Sequence, residues 1–142
     1  IMLRFELEQE LIGDNLPVAD LEVAWNDRFE KDLGTPVDRA SNGVLQDVHW
    51  SLGCFGYFPT YSLGNVYAGC LFEALQKDIP RLDNQLSQGD LRGAREWLEK
   101  KIQQFGSLHK PKDLILSATG QHPSEKPLIT YLKEKFTDLY KL

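Results

Sequence analysis

The sequence is short of the residues that disulfide scaffolds, metal clusters and membrane spans require. Its 142 residues include two cysteines, Cys54 and Cys70, and three histidines. Secreted disulfide-held domains are far denser in cysteine, so we expect two reduced, half-buried thiols in a cytoplasmic protein. No apolar run approaches the roughly 18–20 residues that cross a bilayer, which predicts that there is no membrane span.

Basic charge is also scarce. The chain has sixteen Lys and Arg residues and twenty-one Asp and Glu residues, which gives a formal net charge of −5. Proteins that bind nucleic-acid backbones neutralise phosphates with clustered Lys and Arg, so this balance argues against a nucleic-acid partner. The charge points to no particular substrate.

The apolar spacing is helical along most of the chain. In the first helix Leu3, Leu7 and Leu11 recur every four residues, and the glutamates between them are expected on a polar face. Gly34 is expected to end the second helix, with Pro36 just beyond. Further helices are predicted over residues 63–78, 81–88, from Asp90 to Gly106, over 113–119 and after Ser124. No strand-like alternation or repeat is present, so the fold class is predicted to be all-α, a helical bundle.

Residues 35–62 break this periodicity with glycines, prolines and crowded aromatic side chains. The segment is too apolar for a solvated linker, which predicts an ordered loop with a short helix around 44–50. It gathers side chains that can hydrogen-bond a peptide and stabilise charge on its carbonyl oxygen: Gln46, Asp47, His49, Trp50, Tyr57 and Tyr61. The alternative is that these aromatic residues and His49 are core packing with satisfied polar tips.

A metal site built from this chain alone is not expected. The histidines are isolated, and no HExxH pair places two imidazoles one helical turn apart. On a helix, Asp47 and His49 would point to different sides. Cys54 lies near His49 in sequence, but nothing in the sequence indicates the lowered thiol pKa that nucleophilic catalysis needs.

The segment Gly43–Trp50 resembles the GxxQDxHW motif of the Taq-type thermostable carboxypeptidases, a family of zinc metallocarboxypeptidases. All five fixed positions match, and the resemblance continues through Gly56–Tyr61 and Leu63–Asn65 and covers essentially the whole chain. It implies that the family's HExxH zinc site and its carboxylate-binding arginine lie upstream of Ile1. The helical first residues, which lack a capping residue and an initial methionine, also suggest a C-terminal portion. Arg4 follows the region where that arginine is expected.

The resemblance implies that His49, Tyr57 and Tyr61 line the substrate groove and that one of them donates a hydrogen bond to the oxyanion. Gln46 and Asp47 would orient His49 or the loop. An equal alternative for Asp47 and Trp50 is that they only hold the loop in shape. The zinc of the complete enzyme would activate the water that hydrolyses the last peptide bond, and no zinc is expected on residues 1–142.

We therefore expect residues 1–142 to form the C-terminal lobe of a larger helical metallopeptidase. We expect this lobe to be inactive alone. Apolar surface left open by the absent part favours self-association, with a homodimer as the expected form. Two other interpretations stay open. A peptide- or protein-binding helical module predicts saturable binding that is indifferent to a chelator. A small hydrolase using Cys54 or His49 predicts activity that alkylation abolishes.

Overall fold

The computed structural model describes all 142 residues and contains only helices, turns and loops, which confirms the all-α prediction. No helix combines the length and the hydropathy that a membrane span requires. The seven α-helices are α1 Met2–Ile12, α2 Leu21–Leu33, α3 Pro59–Asp78, α4 Leu82–Ser87, α5 Arg92–Lys101, α6 Pro111–Thr119 and α7 Lys126–Tyr140. Three short 3₁₀ helices cover Val18–Asp20, Ala40–Asn42 and Gln103–Phe105.

The first of two compact units comprises Ile1–Ser62 and holds α1, α2 and the loop that follows. Its buried apolar side chains are Leu7, Trp25 and Phe58. Gly34 ends α2 in the left-handed conformation, with φ 67°, and its N–H donates to the Glu30 carbonyl at 2.8 Å. Glycine enters this region without a Cβ clash, so the predicted helix end is confirmed.

The second unit comprises Leu63–Leu142 and is built around a cluster of Ala74, Leu75, Leu82 and Trp97. The Trp97 indole N–H donates to Asp78 Oδ2 at 2.7 Å, so its polar tip is satisfied. The residues expected to cap α5 and α7, Asp90 and Ser124, lie two positions before the first helical residue, because these helices begin at Arg92 and Lys126. The Arg92 N–H donates to Asp90 Oδ1, and the Lys126 N–H donates to Ser124 Oγ.

The predicted short helix around 44–50 is wrong, because these residues form turns and bends. Asp47 accepts from the His49 backbone N–H, and the Ser51 hydroxyl donates to the Val48 carbonyl, so local side chains compete with helical hydrogen bonds. The loop also ends earlier than the predicted residue 62. Helix α3 begins at Pro59, since proline is favoured in a first helical turn.

Two smaller differences lie in the second unit. Helix α5 ends at Lys101, and the 3₁₀ turn Gln103–Phe105 separates it from Gly106, which was expected to end the helix directly. Cys70 is buried instead of half-buried, whereas Cys54 is half-buried as expected, and both thiols are free. The Cys70 thiol donates to the Ser124 carbonyl at 3.3 Å, which explains how burial is tolerated.

Gly69 marks a close approach between α3 and α7. A Cβ added there would lie 2.8–3.0 Å from the backbone N, Cα and Cβ of Leu128. We expect Gly69→Ala to destabilise the chain by about 1–3 kcal/mol in urea unfolding, because the two backbones must separate. Gly64→Ala in the same helix is the matched control. Nothing lies within 4 Å of a Cβ added at Gly64, so this variant should be more stable by up to about 1 kcal/mol. Equal effects would contradict this account of the contact.

Candidate functional site

Three of the predicted residues form a hydrogen-bonded chain in the first unit. Asp47 Oδ1 lies 3.1 Å from His49 Nδ1 and accepts the His49 backbone N–H at 3.2 Å. His49 Nε2 lies 3.0 Å from the Tyr61 hydroxyl. Asp47 and His49 therefore face each other, contrary to the expectation from helical spacing, because the segment is a turn.

The chemistry of these groups determines the direction of the hydrogen bonds. An ionised carboxylate can only accept, so His49 Nδ1 carries the hydrogen that it donates to Asp47. In a neutral imidazole the other nitrogen is then an acceptor, and the Tyr61 hydroxyl donates to Nε2. The resting arrangement thus leaves a lone pair on the Tyr61 oxygen directed away from His49.

Asp47 is held in the ionised form that this arrangement requires. Burial raises the pKa of the Asp47 carboxyl, but hydrogen bonds from the His49 backbone and the Arg4 guanidinium outweigh it. The pKa consequently lies below its ordinary value. A lowered carboxyl pKa means that the carboxylate persists until the pH falls below the usual range of aspartate titration.

Three aromatic rings surround His49, of which one is buried and two are exposed. The His49 ring centre lies 4.9 Å from that of Phe58, which is buried, and 5.6 Å from that of Tyr57. Tyr57 and Tyr61 pack edge to face at 5.4 Å, and their side chains are 45% and 41% exposed. The Tyr57 hydroxyl makes no hydrogen bond to another group of the chain.

Gln46 and Trp50 are placed differently from that cluster. Gln46 is exposed, and its side chain makes no hydrogen bond within the chain. The Trp50 indole N–H donates to Glu8 Oε1 at 2.9 Å, and its ring lies edge to face with that of Trp25 at 6.1 Å. Because its polar tip is engaged by a buried carboxyl group, Trp50 joins the loop to α1.

Two residues of α1 take part in the site without having been predicted. Arg4 pairs with Asp47, and Glu8, expected on the polar face of the helix, is 4% exposed and accepts from Trp50. Arg4 and Glu8 are four residues apart, which places them on one face of α1. That spacing was visible in the sequence, but nothing there indicated that the loop covers this face.

No group of three or more His, Cys, Asp and Glu side chains in residues 1–142 is arranged to hold a metal ion. These residues therefore supply no ligand set that fits zinc. The Cys54 backbone N–H donates to the His49 carbonyl at 2.9 Å, and no hydrogen bond joins the Cys54 thiol to the His49 ring. This arrangement does not favour a thiol hydrolase.

Comparisons with known proteins match almost the whole chain. Residues 1–136 match the family described as carboxypeptidase Taq (M32) metallopeptidase. Carboxypeptidase 1 of Bacillus subtilis is 38% identical over all 142 residues, which cover 28% of that protein. Thermostable carboxypeptidase 1 of Thermus thermophilus is 37% identical over 140 residues, 99% of the chain and 28% of the relative.

Solved structures agree with these sequence matches. The M32 carboxypeptidase from Deinococcus radiodurans superposes with a TM-score of 0.92 at 34% identity, covering 99% of this chain and 29% of the other. Metallocarboxypeptidase 1 of Trypanosoma cruzi gives a TM-score of 0.88 at 33% identity, covering 95% and 29%. The chain spans less than a third of the length of the relatives that it matches.

Proposed function

The chain belongs to the carboxypeptidase Taq (M32) metallopeptidase family, and from this premise we propose that it supplies part of the substrate groove of a metallocarboxypeptidase. The complete enzyme would remove residues from the C-terminal end of peptides. The observation that carries the proposal is the Asp47–His49–Tyr61 hydrogen-bonded chain, which lies beside the unpartnered hydroxyl of exposed Tyr57.

Two donors in this cluster can stabilise negative charge on a peptide carbonyl oxygen. Tyr57 can donate directly, because its hydroxyl is not engaged within the chain. Tyr61 can donate outward once His49 is protonated, since an imidazolium donates to the Tyr61 oxygen and releases the hydroxyl hydrogen from Nε2. In both cases Asp47 keeps the imidazole in place.

The remaining components of the enzyme would come from polypeptide outside residues 1–142. No metal cluster is built from these residues, so we propose that the metal is bound elsewhere in the complete enzyme and that this chain alone is inactive. Exposed apolar side chains at the start of α1 and the end of α2 are consistent with a surface that further protein covers. They include Ile1, Met2, Phe5 and Leu33.

A chimera tests this proposal directly. In Bacillus subtilis carboxypeptidase 1, the segment matched by this chain is replaced with residues 1–142, and peptide trimming is followed by mass spectrometry. We expect the chimera to release C-terminal residues and a chelator to stop it, because the groove side chains are restored. The isolated chain should show no turnover above the blank. The unaltered Bacillus enzyme is the positive control.

Two results would overturn the proposal. The isolated chain could bind one metal ion tightly and cleave peptides, which would place the catalytic centre within residues 1–142. Alternatively, a folded, metal-loaded chimera could be inert while the isolated chain binds peptides saturably and without regard to chelator. That result would identify a peptide-binding module.

A further inference from the structure

Arg4 lies behind Asp47 and is held from two sides. Its Nε donates to Asp47 Oδ2, and only 20% of its side chain is exposed. The guanidinium carbon lies 4.7 Å from the ring centre of Trp25 and 5.6 Å from that of Phe58, so it is within cation–π range of both rings. An arginine fixed in this way presents its charge to one carboxylate oxygen in a defined orientation.

Asp47 uses its two oxygens for different partners. Oδ2 accepts from Arg4, whereas Oδ1 accepts from the backbone and ring N–H groups of His49. Because Arg4 and His49 each bond one of the two equivalent oxygens, the plane of the carboxylate is held between them. The Oδ1 atom is thereby aimed at Nδ1, and Nε2 is left to accept from Tyr61.

We propose that Arg4 is a positioning residue, which acts through Asp47 to fix the Nδ1–H tautomer of His49 and so the direction of the Tyr61 hydroxyl. The consequence for peptide hydrolysis rests on the proposed function, but the tautomer is a property of the folded chain. The competing explanation is that Arg4 only braces the loop. A brace would affect stability and leave the tautomer unchanged.

The test is ¹⁵N NMR of the histidine rings in the 142-residue chain, where the shifts of Nδ1 and Nε2 report which nitrogen carries hydrogen. We expect the Nδ1–H form for His49 in the unaltered chain. Arg4→Gln should raise the Nε2–H to Nδ1–H ratio about tenfold, because the hydrogen bond that orients the carboxylate is lost. Arg4→Lys keeps a cationic donor and should restore part of the original ratio.

Arg28→Gln is the matched control. Arg28 lies in the same unit and also forms ion pairs, with Glu6 and Asp32, but has no contact with Asp47. The Arg28→Gln substitution should leave the His49 tautomer unchanged. A double variant tests the route: on an Asp47→Asn background, Arg4→Gln should change the ratio no further if Arg4 acts through Asp47.

The outcomes separate this proposal from the proposed function. An Nε2–H His49 in the unaltered chain, or a folded Arg4→Gln variant with an unchanged ratio, overturns the role of Arg4. If Arg4→Gln does not fold, Arg4→Met decides in the same way, since methionine keeps an unbranched apolar side chain without a hydrogen-bond donor. An inert chimera with these tautomer shifts intact would count against the proposed function alone.

Discussion

His49→Ala in the chimera is expected to lower kcat by about 10²–10³-fold while KM changes by only a few-fold. The loss is of the size that follows removal of one oxyanion donor, because the tyrosine hydroxyls lose the imidazole that orients them. His49 is central to the cluster because it bonds both Asp47 and Tyr61 and packs against Tyr57. Its removal leaves the Tyr61 hydroxyl free to rotate and takes away the ring against which Tyr57 packs, so we expect neither hydroxyl to stay directed at the carbonyl oxygen.

Steady-state kinetics on a series of peptides measures this effect, and His109→Ala is the matched control. His109 is exposed, belongs to the second unit and contacts only the Phe105 ring among aromatic side chains, so kcat should be unchanged. Tyr57→Phe and Tyr61→Phe then identify the donor, since only the variant that removes it should approach the His49→Ala loss. A His49→Ala variant within twofold of the unaltered kcat would refute the role assigned to His49.

The sequence predicted the helices well because their signals are local. Gly34 and Ser124 act within one turn of the helix ends that they determine, and apolar spacing needs no knowledge of the rest of the fold. The segment 44–50 was wrongly predicted as helical because Asp47 and Ser51 bond nearby backbone groups instead. Helix propensity does not show whether such side chains will bond the backbone and so replace helical hydrogen bonds.

The candidate residues could be chosen from the sequence, but the hydrogen bonds that join them could not. The composition of the loop and its resemblance to the family singled out Asp47, His49 and Tyr61, yet the hydrogen bond from His49 to Tyr61 crosses twelve positions and depends on the conformation of the loop. Arg4 is 43 positions from Asp47, and Glu8 is 42 from Trp50. Such contacts follow from how the loop packs on α1, which no periodicity in the sequence describes.

Trp50→Phe is expected to destabilise the chain by about 3 kcal/mol. This is more than the packing lost on replacing indole with the smaller phenyl ring would cost by itself. The substitution removes the N–H that Glu8 accepts at 2.9 Å, and Glu8 is 4% exposed. A buried carboxyl group left without that donor costs about 1–3 kcal/mol, in addition to the packing lost around the smaller ring. Urea unfolding followed by circular dichroism measures the difference.

The neighbouring Trp25 provides the comparison that isolates the polar contribution. Trp25 is 1% exposed, and its indole N–H has no partner, so Trp25→Phe deletes an unsatisfied donor while it also reduces the ring. We expect it to cost about 1 kcal/mol, because the relieved N–H offsets part of the lost packing. Adding Glu8→Leu to Trp50→Phe should recover at least half of the lost stability, since no unpartnered carboxyl group then remains. Equal costs at the two tryptophans, with no recovery from Glu8→Leu, would mean that the loop is joined to α1 by ring packing alone.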